Sequence, residues 1–181
     1  MQINPNTGLL SEVEHCLTTM CNERPLGADI SLLVIHNISL PPGEFGGDYV
    51  KQLFMGELAA EHYQAFNIPQ DLEASAHLFI RRDGKVVQFV PFDQRAWHAG
   101  PSSFQGQDKC NDYSIGIELE GTDTAPYSDA QYQSLAQVSK EIMRAYPMIT
   151  RERITGHDTI APDRKTDPGP AFDWNRYFEL L

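Results

Sequence analysis

The chain has 181 residues, enough for one domain with a proper core, and 14 Lys+Arg against 25 Asp+Glu leave a formal charge of −11. Phosphate binding needs a basic face and none is visible, so nucleic acid is not an expected partner; an anionic ligand would have to meet local positives such as Arg81-Arg82 or Lys109. No apolar run reaches the length of a membrane span, no secretory or lipidation pattern is present, and three cysteines (Cys16, Cys21, Cys110) without a C-x-x-C spacing argue against a disulfide framework, so a cytoplasmic monomer is expected.

Residues 1–30 read as an extension packed on a domain of residues 31–181. Within it, residues 8–22 have weak apolar spacing for a short helix, and Asn22 to Asp29 is turn-rich. The run Ser31-Leu32-Leu33-Val34-Ile35, closed by His36, predicts a buried strand. After it, Asn37 to Gly47 is an irregular loop rich in Pro and Gly, a common place for a site when it leaves a buried strand. Tyr49 to Leu58 predicts a helix with Val50, Leu53, Phe54 and Leu58 on its core face. Two β-rich runs, residues 74–80 and 86–90, flank an Asp83-Gly84 turn and predict a hairpin. Pro91 to Gly106 reads as loop. In Ser114 to Gly121 the apolar Ile115, Ile117 and Leu119 alternate with Gly116, Glu118 and Glu120. Ser128 to Tyr146 predicts the best helix, with Ser128 as N-cap, Gln131 three residues on, and Leu135, Val138, Ile142 and Met143 as its buried stripe; Pro147 stops it. A last short strand is expected over residues 154–157. The order predicts an α/β single domain, a mixed β-sheet flanked by helices.

The stretch Thr155 to Pro170 carries the most chemistry. Three prolines and two glycines in its sixteen residues argue against regular structure, and a rigid segment holds side chains at little entropic cost. It presents His157 and, ten positions later, Asp167. With His36 from the first strand, they make two imidazoles and one carboxylate, the ligand set of a catalytic zinc site with its fourth position open. The bland alternative is a Pro/Gly-held loop in which His157 and Asp167 share a plain hydrogen bond. Glu118 either lines a cavity, where it could serve as general base, or faces solvent from an edge strand. Lys165, two residues before Asp167, either reaches a developing oxyanion or is an ordinary exposed lysine. Trp97, in a glycine-flanked loop, offers a stacking surface for a sugar or a core aromatic. His98 could be ligand, second-layer donor or packed side chain; His77, inside an apolar run, reads as core or second layer, while His15 and His62 look incidental.

Six segments occur together in one order: Val34-Ile35-His36-Asn37, Ser75-Ala76-His77, Arg81-Arg82-Asp83-Gly84, Trp97-His98-Ala99-Gly100, Ser114-Ile115-Gly116-Ile117-Glu118, and Gly156-His157 through Lys165-Thr166-Asp167-Pro168-Gly169-Pro170. From about residue 31 to 177 the chain resembles the zinc N-acetylmuramoyl-L-alanine amidases related to phage amidase lysozymes and peptidoglycan recognition proteins. The run from His36 to Gly47 is similar to that of their AmpD-type branch, cytoplasmic amidases that act on 1,6-anhydro-muropeptides in wall recycling. The resemblance implies a mixed sheet with helices, a zinc cofactor held by His36, His157 and Asp167, Glu118 as catalytic acid/base and Lys165 as transition-state stabiliser. Phage-type relatives carry a catalytic tyrosine just before the residue corresponding to His77; Ala76 stands there, which places more of the burden on Glu118. Many relatives use cysteine as third ligand, where Asp167 makes a harder site. Expected contacts to the anhydro-muropeptide are Asn37, Trp97, His98, Lys109, and Arg81 with Arg82. The competing expectations are a non-catalytic muropeptide-binding protein, a secreted autolysin, and a structural zinc protein, the last opposed by the lack of a closed four-ligand set.

Overall fold

Six strands share one mixed sheet: Glu14–His15 (β1), Leu32–Ile38 (β2), Leu78–Ile80 (β3), Val86–Gln88 (β4), Ser114–Glu120 (β5) and Ile154–Gly156 (β6). The computed structural model describes residues 1–181 and orders them β6-β2-β5-β3-β4-β1. Strands β6, β2, β5 and β3 are mutually parallel, whereas β4 returns antiparallel to β3 and β1 lies parallel to β4. The single-domain mixed sheet expected from the element order is the fold observed.

Strand β5 pairs with β2 on one side and β3 on the other, and every one of its residues is buried. A parallel strand covered on both faces is read as continuously buried rather than half-wet. This position rules out the edge-strand alternative for Glu118. The two faces serve different ends. Leu33, Ile35, Ile115, Ile117 and Leu119 face the larger core, where they meet Leu135, Val138 and Ile142 from Asp129–Ala145 and Tyr177 from Trp174–Leu180. His36, Gly116 and Glu118 point the other way, toward the loops. On that side Tyr49–Met55 (α1) packs Val50, Leu53 and Phe54 against Phe79, Val87 and Phe89.

The remaining helices are Ala60–Ala65 (α2), Asp129–Ala145 (α3), His157–Ile160 (α4) and Trp174–Leu180 (α5). Helix α3 starts where its capping signal predicts: Ser128 Oγ accepts the Gln131 N–H, and the Gln131 side chain accepts the Ser128 N–H at 3.1 Å. Met143 packs only partly buried at the edge of the stripe. Helix α1 ends at Met55, three residues before the expected Leu58, because Gly56 turns left-handed with φ 71° and closes it.

Three expectations are corrected. Residues 8–22 form no helix; they hold the short strands Leu9–Leu10, β1 and the start of Cys21–Glu23, bent at Gly8 (φ 62°) and Glu12 (φ 63°). Sheet pairing won over the weak helical spacing: Cys16 N–H donates to Gln88 O, and the buried Gln88 side chain receives the Leu10 N–H at 2.8 Å. The stretch Pro91 to Gly106 is not all loop, since Gln94–Ala96 pairs antiparallel with Cys21–Glu23 and Ser103–Phe104 forms a ribbon with Gln107–Asp108. Regular structure also resumes at His157, where one helical turn precedes the Pro-rich part of its loop. Replacing the α3 cap by Ser128→Ala removes both the cap and a bond to Arg82 O, and urea denaturation should show about 1 kcal/mol less stability.

Candidate active site

Three parallel strands deliver the site at their carboxyl ends, the usual position for a crevice in an open α/β sheet. In the β2–β5 ladder His36 and Glu118 are direct partners, so their side chains emerge side by side on one face. On the other flank of β2, Gly156 pairs with Ile35, and His157 follows as the first residue of α4. Asp167 is drawn back to this turn by its own backbone, whose carbonyl accepts the Asp158 N–H at 2.9 Å.

The result is a tight triangle. Nδ1 of His36 lies 2.9 Å from Nδ1 of His157 and 3.0 Å from Oδ2 of Asp167, and the third side, His157 Nδ1 to Asp167 Oδ2, is 3.1 Å. These atoms form the cluster of His, Cys, Asp and Glu groups able to hold a metal ion. A tetrahedral zinc with bonds of about 2.0–2.1 Å holds its ligands roughly 3.3 Å apart, a few tenths more than each side here. The donor chemistry fits as well. Nε2 of His157 lies 3.1 Å from Ala99 O, which can only accept, so the imidazole proton sits there and Nδ1 is bare. A bare nitrogen and a carboxylate oxygen thus face each other, an arrangement that calls for a cation. Both histidines are buried, and burial pushes the His36 pKa down to about 4, keeping it in the neutral form a ligand requires.

Glu118 stands beside the triangle with Oε1 4.0 Å from His36 Nδ1. Its Oε2 is buried without a hydrogen-bond partner. Burial, then the charge of Asp167, raises its pKa well above the ordinary carboxylate value, against the opposing pull of Lys165. Its neighbour Glu120 is spent structurally, accepting the backbone N–H groups of Gly46 and Arg82. A cleft of about 550 Å³ opens over Glu118, His157 and Asp167 and is also lined by Lys165, Asn37 and Trp97.

The other sequence-derived candidates separate. Trp97 is held by an indole N–H donated to Asn22 Oδ1 at 2.7 Å. Asn37 lines the cleft while its amide donates to Asp123 Oδ1 (2.9 Å) and Pro168 O (3.1 Å). His98 is buried behind His36, with one ring nitrogen on His36 Nε2 and the other on Ser114 Oγ. His77 is fully buried against Phe92 and takes the Gly116 N–H on Nδ1. Lys109 is exposed and Arg81 is engaged with Gly47 O and Asp48; neither lines the cleft, nor does Arg82, which bonds Pro126 O. The cations that do line it are Lys165, Arg95 and Arg164. Sequence reasoning passed over the two arginines, although Arg164 directly precedes Lys165 and Arg95 stands two residues before Trp97.

Residues 26–170 match the family model described as N-acetylmuramoyl-L-alanine amidase. The chain belongs to this amidase family. It is 54% identical over 177 residues to the 1,6-anhydro-N-acetylmuramyl-L-alanine amidase AmpD of Salmonella typhimurium strain SL1344, covering 98% of this chain and 94% of the relative. Among solved structures, a selenomethionine derivative of AmpD superposes with a TM-score of 0.95 at 52% identity, over 100% of this chain and 99% of that one. The amidase AmiD of E. coli, solved in complex with anhydro-N-acetylmuramic acid-L-Ala-D-gamma-Glu-L-Lys, gives 0.62 at 29% identity, covering 87% of this chain and 60% of that one. No helix of this family member is long and apolar enough to cross a membrane.

Elemental analysis of the purified amidase should find a single zinc ion per chain, and His157→Ala and Asp167→Ala should each copurify with little or none. Full zinc occupancy in either variant would remove that residue from the ligand set.

Proposed function

We propose that the protein is a zinc-dependent amidase that hydrolyses the bond between the lactyl group of 1,6-anhydro-N-acetylmuramic acid and the L-alanine of the stem peptide, in the cytoplasmic recycling of peptidoglycan. The observation that carries this reading is the pairing of the His36–His157–Asp167 triangle with an unpartnered Glu118 carboxylate oxygen at the floor of one cleft. Its substrate is taken from the relatives, since the AmpD-type proteins are named for that bond and AmiD was solved with an anhydro-muropeptide.

His36, His157 and Asp167 would hold the ion, two neutral nitrogens and one anionic oxygen offsetting its charge. Zinc in such a site supplies Lewis acidity, which makes water nucleophilic near neutral pH. Glu118 acts beside it as acid and base: its carboxylate takes a proton from the attacking water and later delivers it to the amide nitrogen as the C–N bond breaks. The raised pKa of this buried carboxyl suits the acid half, since a proton accepted from water is retained long enough to be passed on; the base half needs the carboxylate, which the charge of Lys165 favours and a bound cation would favour further. Lys165 sets an ammonium at the cleft wall to balance the negative charge that develops on the lactyl oxygen. The products are the sugar bearing a free lactyl carboxylate and a peptide with a free amine.

Substrate contacts follow the cleft. Trp97 presents its ring for the sugar, Asn37 its remaining amide oxygen, Arg164 adds positive charge for peptide carboxylates, and Arg95, its charge offset by Asp112 at 2.6 Å, offers N–H donors; Lys109 and Arg81 are placed too far aside. The non-catalytic binding reading is disfavoured by Glu118, because a desolvated carboxylate is costly and a mere binder has no use for it.

Glu118→Ala should retain zinc and fold while kcat for soluble anhydro-muropeptide falls by about 10²–10⁴. Unchanged turnover would end the role given to this residue. Chelation should abolish cleavage in the wild type and added zinc restore it, and soluble anhydro-muropeptides should be cut faster than intact sacculi. A preference for sacculi would argue for a wall-acting autolysin instead.

A further inference from the structure

His36 meets the candidate metal centre through Nδ1, and the hydrogen bond at its other nitrogen decides whether Nδ1 has a lone pair to offer. A neutral imidazole carries a single N–H, so the two nitrogens always have opposite roles. Nε2 of His36 lies 2.9 Å from Nδ1 of His98, and Nε2 of His98 lies 3.0 Å from Ser114 Oγ. The seat of His98 is built into the fold. Its backbone N–H donates to Asn111 Oδ1 at 3.1 Å, and the same oxygen receives the Ala99 N–H at 2.8 Å. Its ring lies over Gly116, where a Cβ would come within 2.4 Å of the ring Cγ, so only glycine at that point of β5 leaves room for it. Such a seat gives the ring little freedom to turn.

We propose that His98 is a positioning residue whose Nδ1 accepts the Nε2–H of His36 and so holds His36 in the tautomer that leaves Nδ1 bare toward His157 and Asp167. Ser114 completes the chain by accepting the Nε2–H of His98, which keeps the His98 Nδ1 free of a proton. Each imidazole carries one N–H throughout and no charge changes. In the reverse arrangement, with His98 donating to His36, the proton of His36 would sit on Nδ1 and close that corner of the triangle. The other imidazole ligand needs no such device, because Nε2 of His157 faces a carbonyl that can only accept. An imidazole partner can act in either sense, so the direction at His36 depends on His98 and Ser114 together. This inference rests on the metal-centre reading for its consequence, although the tautomer it assigns can be observed without metal.

The test combines variants with spectra of the unaltered protein. His98→Phe fills the ring space without an acceptor and should weaken zinc affinity about 10–100-fold in competition with a chromophoric chelator, whereas His98→Asn, whose amide oxygen can stand near the lost Nδ1, should recover most of it. Affinity in His98→Phe within about twofold of wild type, or an equal loss in both variants, would overturn the assignment. Long-range ¹H–¹⁵N spectra of the wild type, zinc-free and zinc-loaded, need no variant to fold. They should show His36 and His98 both protonated on Nε2, and a proton on Nδ1 of His36 in the zinc-free protein overturns the proposal. If the wild type takes up no zinc, the metal-centre reading fails while these spectra still decide the part played by His98.

Discussion

The register between β2 and β5 is the constraint on which the site depends. In a parallel ladder, partner residues sit about 4.8 Å apart and point to the same face, and a slip of one residue sends every side chain to the opposite face. Pairing His36 with Glu118 therefore sets an imidazole and a carboxylate over the loops while Ile35 and Ile117 enter the core. The buried polar groups of one face lock this register, because a slip would carry His36 or Glu118 into the larger core that Ile35 and Ile117 now fill. Strand β6 extends the same logic by one position, since its pairing through Gly156 and Ile35 leaves His157 next to His36.

Polar burial is concentrated on that one face. His36, His77, His98, Glu118, Glu120 and His157 are all buried, and each must find a partner or remain at a desolvation cost. Glu120 is satisfied by two backbone N–H groups, and the histidines by Ala99, Ser114, Gly116 and one another. Glu118 alone among these keeps a side-chain oxygen without a partner. Two glutamates on one face of one strand thus have opposite standings, one used to tie down the loop after β2 and the other held ready in the cleft. Local stability is given up at Glu118, the carboxyl to which the proposed mechanism assigns proton exchange.

Elements governed by local chemistry were legible in advance. The Ser128 capping box and the Asp83-Gly84 hairpin rest on contacts within a few residues, so their signals lie in short windows; Ser114 to Glu120 was legible through its period of two, although its partners are distant strands. The amino-terminal segment misled for the opposite reason. Its strands are held by partners far along the chain, Leu10 by the Gln88 side chain and Cys21–Glu23 by Gln94–Ala96, and no local window contains both halves. The same distance hid the strand inside Pro91 to Gly106. Asn22, in a stretch that read only as turns, accepts from Trp97 at the cleft wall.

By itself, the sequence determined the acidic balance, the mixed sheet with helices, and a short list of candidate metal ligands, His36, His157 and Asp167, which the fold brings together, because residue chemistry and local periodicity are properties of the chain alone. It could not choose among ligand, supporting donor and packed side chain for His98, or tell a central carboxylate from an edge one. Those decisions belong to the tertiary structure. Strand order brings His36 to within 3.1 Å of atoms 121 and 131 residues away, sets His98 at the cleft wall against the far nitrogen of His36, and turns Arg95 and Arg164 inward while Arg81 and Lys109 face elsewhere. Separation along the chain says nothing about such distances, and only the pairing of strands converts one into the other.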